Sequence, residues 1–426
     1  MKITFVTYRF LSAIAGETLI LVSRFLNLFK KNEITSFFFK RSFQNIVSSR
    51  HGRKKIWFYA SSVGEAGVCE ILIKEILKQK KNIDFHVSLM TDSGCKIAHS
   101  NLSHLADISY SPIDTPFNVE KTFKIIKPDL LCIIETELWP NLIFEAKKNK
   151  IPVIISNARI SNSSLKNYLK IKELSEFVLS LVDRFYAASF KDRKNLLQLS
   201  CANEKIFVTG NAKYDFYIDK NNTEKIRKTF QKMLGFNEND LIFVCGSTRE
   251  GEEEILTSVF KKLKNNFPDL KLVLVPRHLS RLDEIKKIFI KKNIDFRLRT
   301  ENSDKKSDAV IIDTMGELKK IYTLADIVFV GGSLKNFGGQ NILEPASLGK
   351  PVIFGRYMDD FKEISQIILS EKGGFQVSEA DIYDVIRNLL EDNDLRKTTG
   401  LNAFYAVEKH RGAAKKQAEE ILKALG

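Results

Sequence analysis

Carboxylates follow two of the apolar runs that are expected to form strands in the first half of the chain. Glu65 comes shortly after one run, and Glu135 and Glu137 come directly after another. Arg159 follows the next run along the chain. Because the carboxyl ends of parallel strands meet at one edge of a sheet, we expect these side chains to lie close together. Carboxylates beside an arginine could provide a general base or an acceptor-binding site.

Glu65 also has a structural interpretation. The spacing Ser62-x-x-Glu65 ahead of an apolar helical pattern is a capping box, in which the serine and glutamate satisfy free amides at a helix start. The residues alone leave both roles open.

Glycine-rich turns in the second half indicate a nucleotide half-site. Residues 331–333 follow a strand-like run, and residues 338–345 lead into a helix. Glycines there let backbone amides approach a phosphate, and the helix terminus adds a partial positive charge. Glu344 could accept hydrogen bonds from ribose hydroxyls. The alternative is a pair of ordinary turns with Pro345 at the helix start.

Other motifs narrow the chemistry. The acidic run 252–254 complements a helix dipole and is expected to be structural. The sequence has no Walker A loop, HExxH motif or GxSxG elbow, and its six histidines are scattered. The reaction that remains compatible with these motifs is a metal-independent transfer from a nucleotide-activated donor.

Composition excludes several classes of protein. The chain has 426 residues, a formal net charge of +15 and five cysteines. This length favours two or three domains, each with a hydrophobic core, over a disordered chain. The cysteines are odd in number and far apart in the sequence, which excludes a disulfide scaffold and indicates a reducing compartment. The positive charge favours an anionic partner: nucleic acid, a phosphorylated substrate or a membrane leaflet. A solvated lysine-rich surface is the alternative explanation of the charge. The sequence has no basic block flanked by aromatic residues, which argues against nucleic acid as the partner.

Short β-branched or aromatic runs alternate with helical patterns, which predicts an α/β fold with parallel sheets. The predicted strands cover residues 56–60, 85–90, 130–134, 152–156, 184–188, 241–245, 271–275, 309–312, 327–330 and 351–354. They form two series, one for each of two Rossmann-like domains that we expect to face each other across a cleft. The predicted divisions are an amino-terminal helix, 1–35, a first domain, 36–214, a polar linker, 215–227, a second domain, 228–400, and a C-terminal helix, 401–426, that could return to the first domain.

The amino-terminal stretch 11–29 is apolar, but Glu17 and Arg24 lie inside it, and each charge costs about 2.5 to 3.5 kcal/mol at a membrane centre. A spanning helix is therefore disfavoured. A helical projection of this stretch gives two opposite arcs. The polar arc contains Arg9, Ser12, Gly16, Glu17, Ser23, Arg24, Asn27, Lys30 and Lys31. The apolar arc contains Leu11, Ile14, Thr18, Leu21, Val22, Phe25 and Phe29. This amphipathic helix could lie in a membrane interface with its basic residues toward anionic head groups, or dock on the protein.

Motifs in both halves resemble those of one known family, the 3-deoxy-D-manno-octulosonic acid (Kdo) transferases. They occur in the family order and read SSVGE at 61–65, ETELWPN at 135–141, NARIS at 157–161, TGNAKYD at 209–215, STREGEE at 247–253, LVPRH at 274–278, DTMGEL at 313–318, GGSL at 331–334 and GGQNILEPA at 338–346.

The resemblance implies a GT-B glycosyltransferase of lipopolysaccharide biosynthesis. Such an enzyme moves Kdo from CMP-Kdo to a lipid A precursor, lipid IVA, at the cytoplasmic face of a Gram-negative inner membrane. The family inverts the anomeric centre and uses neither a metal nor a cofactor beyond the donor substrate. The first domain would bind the acceptor and the second CMP-Kdo, with the amino-terminal helix associated with the membrane.

The resemblance also implies roles for individual residues. Glu65 would be the base that deprotonates the acceptor hydroxyl, and Glu135 and Lys213 would stabilise the transition state. The positions that match CMP contacts are Pro276, Arg277, Met315, Gly316, Glu317, Asn341, Ile342, Leu343 and Glu344.

The sequence departs from the family pattern at three positions. Gln340 and Arg249 stand where many members have histidine near the donor half-site, and Tyr59 replaces a histidine ahead of SVGE. The changes at Gln340 and Arg249 put a histidine contact with the donor phosphate in doubt. Two rival functions stay open: a transferase or epimerase that uses UDP-sugars, and a membrane-surface binding protein without catalysis.

Overall fold

The computed structural model describes residues 2–29, 33–42, 46–49, 52–215, 220–301 and 306–426. The chain divides into two compact units. Met1–Asp215 and His410–Gly426 form the first, and Phe216–Lys409 forms the second. Each unit contains one seven-stranded sheet.

The sheet of the first unit is parallel throughout, in the order β3-β2-β1-β4-β5-β6-β7. Its strands are β1 Lys54–Ala60, β2 Ile83–Leu89, β3 Asp107–Tyr110, β4 Leu130–Ile134, β5 Val153–Ala158, β6 Arg184–Ala187 and β7 Ile206–Val208. Alternate side chains of β1 enter two apolar layers, with Phe58 in one and Trp57 in the other. Burial on both faces explains why the central strands read as continuous apolar runs.

Helices of the first unit connect these strands and cover the sheet. They are α1 Ile3–Phe29, α2 Glu33–Lys40, α3 Val63–Gln79, α4 Asp92–Leu102, α5 Pro116–Ile126, α6 Pro140–Lys148, α7 Asn162–Lys170, α8 Lys172–Ser180 and α9 Phe190–Gln198.

The sheet of the second unit is also parallel, in the order β10-β11-β9-β8-β12-β13-β14. Its strands are β8 Leu241–Thr248, β9 Leu270–Pro276, β10 Phe296–Leu298, β11 Ala309–Ile311, β12 Ile327–Val330, β13 Val352–Phe354 and β14 Gly374–Gln376. The helices that follow in the chain are α10 Lys220–Met233, α11 Glu252–Lys264, α12 Leu282–Lys291, α13 Leu318–Ile321, α14 Leu343–Ser347, α15 Lys362–Ser370, α16 Ile382–Glu391, α17 Asn393–Glu408 and, in the first unit, α18 Ala413–Leu425. Two parallel-sheet α/β units confirm the predicted fold class.

The predicted linker and the structure differ. Residues 220–227 belong to α10, and residues 216–219 lie outside the described part of the chain. The apolar stripe of α10 contains Ile226 and Phe230 and continues to Leu234 beyond the helix end, so most of it lies past the predicted linker. The predicted linker segment, which ends at residue 227, contains too little of this stripe to indicate a helix.

The C-terminal boundary also differs from the predicted one. Helix α17 runs through the predicted division at 400 and belongs to the second unit, whereas α18 packs in the first. Ala414 and Ile421 of α18 lie in the same apolar layer as α3. Buried Gln417 accepts from the Ser156 hydroxyl at 2.6 Å, which ties α18 to β5.

Helix α1 docks on the first unit through the face that carries its polar arc, and Phe5 and Ile20 are buried on this face as well. The Tyr8 hydroxyl donates to Asp114 at 2.9 Å, and Asn141 donates to Ser12 Oγ at 3.0 Å. Glu17 accepts from the Thr115 hydroxyl and from the Asn118 N–H at the start of α5. A charge that was expected to disfavour membrane contact is thereby paired with a helix amino terminus.

The opposite face of α1 is exposed and apolar. Side chains of this face are between 47% and 62% exposed at Leu11, Ile14, Leu21, Val22 and Phe25. By length and composition alone, Ile3–Ser23 could cross a membrane. The helix therefore docks as one alternative predicted, but the predicted apolar arc is exposed and the side turned inward combines polar contacts with the buried Phe5 and Ile20. Lys30, Lys31 and the side chain of Arg24 lie outside the described part of the chain.

Candidate active site

Glu65 lies where β1 ends and α3 begins. Ser62 is the N-cap of α3, and its Oγ accepts from the Glu65 N–H at 3.3 Å and donates to Glu65 Oε1 at 3.0 Å. The Ser61 N–H donates to Glu65 Oε2 at 2.6 Å. The serine half of the predicted capping box is therefore confirmed, whereas the glutamate accepts from the N–H of the residue before the N-cap.

The environment of Glu65 also suits proton transfer. Its side chain is in a residue only 6% exposed, and burial raises its pKa to about 7. The Ser61 N–H opposes this rise, and the charges of Glu135 and Glu137 add to it. A carboxyl group that titrates near neutral pH can accept a proton from a sugar hydroxyl and release it again.

Glu135 is the first residue after β4 and adopts a left-handed backbone conformation, with φ of 58°. A non-glycine residue persists there only when its surroundings hold it. Its N–H donates to the Ser156 carbonyl at 2.9 Å. Its Oε1 accepts from Lys213 Nζ at 2.5 Å and lies 3.9 Å from the Arg159 guanidinium. Arg159, which was predicted on the same rim, and Lys213, which the family resemblance implied, thus both lie at this carboxylate.

Lys213 is placed by a short turn, Ala212–Asp215, that is bonded to the end of β5. The Ala212 N–H donates to Asn157 Oδ1 at 2.9 Å, and Asn157 is fully buried with φ of 55°. A Cβ on Gly64 would lie 3.8 Å from Lys213 Nζ, so the ammonium lies beside the start of α3. Asn157 lies in the NARIS motif, whose sequence does not indicate this role, and the structure makes it the support for Lys213.

Glu137 completes the acidic rim. Its side chain is half-buried, burial raises its pKa, and the charge of Glu135 raises it further. The first unit thus brings Glu65, Glu135, Glu137, Arg159 and Lys213 into one electrostatically coupled group.

In the second unit, Pro276 ends β9 and Arg277 follows it. The Arg277 N–H donates to the Thr248 carbonyl at 3.0 Å, which joins the ends of β8 and β9. Burial raises the pKa of Glu344, while the charges of Lys319 and Arg277 lower it. The structure therefore brings Arg277 and Glu344 together from separate segments.

Asn341 organises the start of α14. Its Oδ1 accepts from the Leu343 N–H at 3.0 Å, and its Nδ2 donates to Glu344 Oε1 at 3.3 Å. The side chains of Ile342 and Leu343 are buried, so any ligand contact from these two residues must come from the backbone.

The remaining predicted donor positions lie ahead of α13. Met315 is 67% exposed, and Gly316 has φ of 85°, a conformation that favours glycine. Glu317 accepts from the Thr314 hydroxyl and lies 3.4 Å from Arg299. An exposed apolar side chain beside a glycine turn leaves this segment open to a ligand.

Comparison with known proteins decides the family. A family model described as 3-Deoxy-D-manno-octulosonic-acid transferase (kdotransferase) matches residues 37–216. A 3-deoxy-D-manno-octulosonic acid transferase of Haemophilus influenzae is 31% identical over 362 residues, covering 84% of each chain. The chain belongs to the Kdo transferase family. It is therefore a glycosyltransferase, as the motifs predicted.

Two further similarities concern the length and the fold of this member of the Kdo transferase family. A bifunctional glycosyltransferase/methyltransferase of Fusobacterium nucleatum is 36% identical over 385 residues, which are 88% of this chain and 58% of that protein. The chain therefore spans little more than half the length of that relative. The crystal structure of UDP-GlcNAc 2-epimerase from Neisseria meningitidis bound to UDP-GlcNAc aligns over 87% of this chain and 99% of its own, with a TM-score of 0.60 and 18% identity. This likeness shows the GT-B-like fold alone.

Arg249, a departure from the Kdo transferase pattern, lies at the end of β8 in a defined setting. Its Nη1 lies 2.5 Å from His278 Nε2, and its guanidinium lies 4.5 Å from the centre of the Phe337 ring. Burial lowers the pKa of His278, and the charges of Arg249, Arg277 and Arg281 lower it further. A neutral imidazole can accept the hydrogen bond that Arg249 donates.

The whole acidic run 252–254 was predicted to be structural, and the contacts of its first two members agree with this prediction. Glu252 is fully buried and accepts from the N–H groups of Gly332, Ser333 and Leu334 at 2.7 to 2.9 Å. Glu253 pairs with Arg281 at 2.9 Å. Within the described ranges, no group of three or more His, Cys, Asp or Glu side chains could hold a metal ion.

Proposed function

We propose that this enzyme transfers Kdo from CMP-Kdo to a lipid A precursor, lipid IVA, with inversion at the anomeric carbon and without a metal or cofactor. The observation that carries the proposal is the position of the Glu65 carboxylate, which lies at a strand end beside Glu135 and Lys213, where burial raises its pKa to about 7. Membership of the Kdo transferase family supports the choice of the transferred sugar.

Glu65 is the proposed general base. An acceptor hydroxyl attacks the anomeric carbon of CMP-Kdo, the bond from that carbon to the phosphate oxygen breaks, and CMP leaves. Glu65 takes the hydroxyl proton as the new glycosidic bond forms. A single displacement of this kind inverts the anomeric centre and needs only one base.

Glu135 and Lys213 are the proposed stabilising pair. The Lys213 ammonium offsets negative charge on the Kdo carboxylate or on the departing phosphate. Glu135 holds this ammonium through the 2.5 Å contact with its Oε1 and keeps it beside the start of α3.

Residues of the second unit are proposed to bind CMP. Arg277 offers a fixed positive charge to the phosphate, and Glu344 can accept hydrogen bonds from ribose hydroxyls. Backbone amides at the start of the segment that contains Asn341 would complete the phosphate contacts. The other proposed contacts come from Pro276, Met315, Gly316, Glu317, Ile342 and Leu343.

Helix α1 supports a lipid acceptor. Its exposed apolar face offers a surface that a bilayer can cover, while its polar face is occupied by the first unit. We therefore propose association with a membrane at the cytoplasmic face of the inner membrane, where the acceptor is embedded.

The direct test is incubation of the purified full chain with CMP-Kdo and a tetra-acylated lipid A precursor. We expect release of CMP and a lipid product whose mass has increased by Kdo, in the presence of EDTA as in its absence. NMR of the new linkage reports the anomeric configuration. An unchanged lipid mass would contradict the proposal, and a retained configuration would contradict the single displacement.

A competition experiment addresses the rival with UDP-sugars. We expect CMP to displace a labelled CMP probe at lower concentrations than UDP. The reverse order would favour a UDP-sugar enzyme, and vesicle binding without nucleotide consumption would favour the non-catalytic alternative.

A further inference from the structure

Helix α1 is connected to the loop that carries Glu135 and Glu137 through one buried carboxylate, Asp114. Asp114 lies between β3 and α5 and is 7% exposed. Its Oδ2 accepts from the Tyr8 hydroxyl at 2.9 Å and from the Asn141 N–H at 3.0 Å. Its Oδ1 accepts from the Leu142 N–H at 2.8 Å. One side chain thus bonds both α1 and the start of α6.

Helix α6 depends on Asp114 for its amino terminus. Trp139 occupies the N-cap, but its side chain accepts no hydrogen bond from the helix amides, and Pro140 follows it. The first amides of a helix lack partners within the helix, and a buried amide without a partner is costly. Asp114 supplies the missing acceptor from another element and so fixes the place where α6 begins.

The loop 135–139 is consequently held at both ends. At its start, the Glu135 N–H donates to the Ser156 carbonyl at 2.9 Å. At its end, the Asp114 carboxylate holds the first turn of α6. Glu135 is itself the first anchor, and its left-handed conformation requires surroundings that hold it.

A second contact links α1 to the same place. Asn141 is 1% exposed, and its Nδ2 donates to Ser12 Oγ at 3.0 Å and to the Asp114 carbonyl at 2.6 Å. The polar face of α1 therefore contacts the residues that directly follow the acidic loop.

We propose that α1 is part of the catalytic scaffold and that Tyr8, acting through Asp114, is a positioning residue for the loop with Glu135 and Glu137. The inference rests on the proposed Kdo transfer. Tyr8 lies on the docked face of α1, so its effect on turnover can be separated from any attachment of the apolar face to a membrane.

The test is the full chain with Tyr8→Phe, which removes one hydroxyl and keeps the ring. We expect kcat to fall by about three- to tenfold through misplacement of the loop, with the KM for CMP-Kdo within about twofold of wild type. Binding to phospholipid vesicles should not change. Asp114→Asn should lower kcat by about tenfold or more, because it also removes an acceptor from the α6 amides.

Ser23→Ala is the matched control on the same helix. The buried Ser23 hydroxyl donates to the Ile20 carbonyl at 2.8 Å, within α1 itself. We expect wild-type kcat in this variant. Equal losses in Tyr8→Phe and Ser23→Ala, wild-type kcat in Tyr8→Phe, or a change of vesicle binding alone would each overturn the proposal.

Tryptophan fluorescence gives a readout that does not need activity. The chain has two tryptophans, Trp57 and Trp139, of which Trp57 is fully buried and Trp139, at the end of the loop, is half-buried. Acrylamide quenching should increase in Tyr8→Phe and not in Ser23→Ala. An enzyme that binds CMP-Kdo but transfers no sugar would contradict the proposed function, whereas unchanged quenching in Tyr8→Phe would overturn the positioning role.

Discussion

The Glu65 carboxyl group combines a structural contact with an unfavourable environment. Its hydrogen bonds stabilise the start of α3, but burial raises its pKa from an ordinary value of 4.5 to about 7. Between these two pH values the folded protein binds more protons at this site than the unfolded chain. The contribution of Glu65 to the unfolding free energy therefore decreases as pH rises from about 4.5 to about 7. A residue that served only as a helix cap would not require this loss of stability, because an uncharged glutamine could make the same capping contacts.

Replacement of Glu65 separates the two roles. We expect Glu65→Gln to retain the cap and to lower turnover by about 10² to 10⁴, because glutamine cannot accept the hydroxyl proton. CMP affinity should stay the same, and the unfolding free energy at pH 8 should not decrease. Steady-state kinetics and chemical denaturation measure these quantities.

Glu70→Gln is the control for this variant. Glu70 is on the same helix and pairs with Lys74 at 2.6 Å, away from the strand ends. We expect normal turnover in the control. Normal turnover in Glu65→Gln as well would contradict the base assignment.

The same pKa predicts the pH dependence of the wild-type enzyme. The base is active when ionised, so kcat/KM should rise with pH and reach half its plateau near pH 7. Initial rates between pH 5 and pH 9 at substrate concentrations well below KM test this expectation, because kcat/KM reports the pKa of the free enzyme. A rate that is already constant from pH 5 upward would assign the base to a group with an ordinary carboxyl pKa.

Sequence reasoning found the reactive groups but not their supports. Glu65 and Glu135 were predicted because they follow apolar runs, and strand ends are where α/β proteins bind ligands. The pairing of Lys213 with Glu135 was suggested only by the family resemblance. It depends on the left-handed conformations of Asn157 and Glu135, which a glutamate does not signal in a sequence and an asparagine signals only weakly.

At the scale of elements, the central strands could be predicted and the edge strands could not. The strands missing from the prediction are β3, β7, β10 and β14, which are the outer strands of the two sheets. Each is three or four residues long and partly exposed. An edge strand has fewer buried side chains than a central one, so it lacks the continuous apolar run by which the others were found.

Helix α1 gives a prediction at the same scale. We expect Leu11→Ser and Leu21→Ser to weaken binding of the full chain to phospholipid vesicles by about tenfold or more each, since burying a leucine side chain contributes about 1.5 to 3 kcal/mol. Both leucines are about 60% exposed, so folding should be little affected. Co-sedimentation with vesicles and thermal unfolding are the measurements.

Leu401→Ser provides the matched control for α1. Leu401 is 55% exposed on α17, in the second unit. This variant should bind vesicles as the wild type does. Equal binding by all three variants would show that the apolar face of α1 does not contact the bilayer.

At the scale of the whole molecule, the two units have different proposed roles, one in catalysis and the other in CMP binding. The candidate base and the Glu135–Lys213 pair belong to the first unit, and the candidate CMP contacts belong to the second. Each unit has its own sheet and its own apolar core. A variant in one unit should therefore change one kinetic property and leave the other.

Arg277→Ala tests this division from the donor side. Loss of a hydrogen bond to a charged group costs about 1.5 to 3 kcal/mol, so we expect CMP to bind about tenfold to 150-fold more weakly. Glu65→Gln should bind CMP normally, and Arg387→Ala, which removes an arginine paired with Asp384 on the surface of α16, should change neither affinity nor turnover. Isothermal titration with CMP measures all three. If Glu65→Gln weakened CMP binding as much as Arg277→Ala, the two properties could not be assigned to separate units, and the base and the phosphate contact would have to be treated as one coupled site.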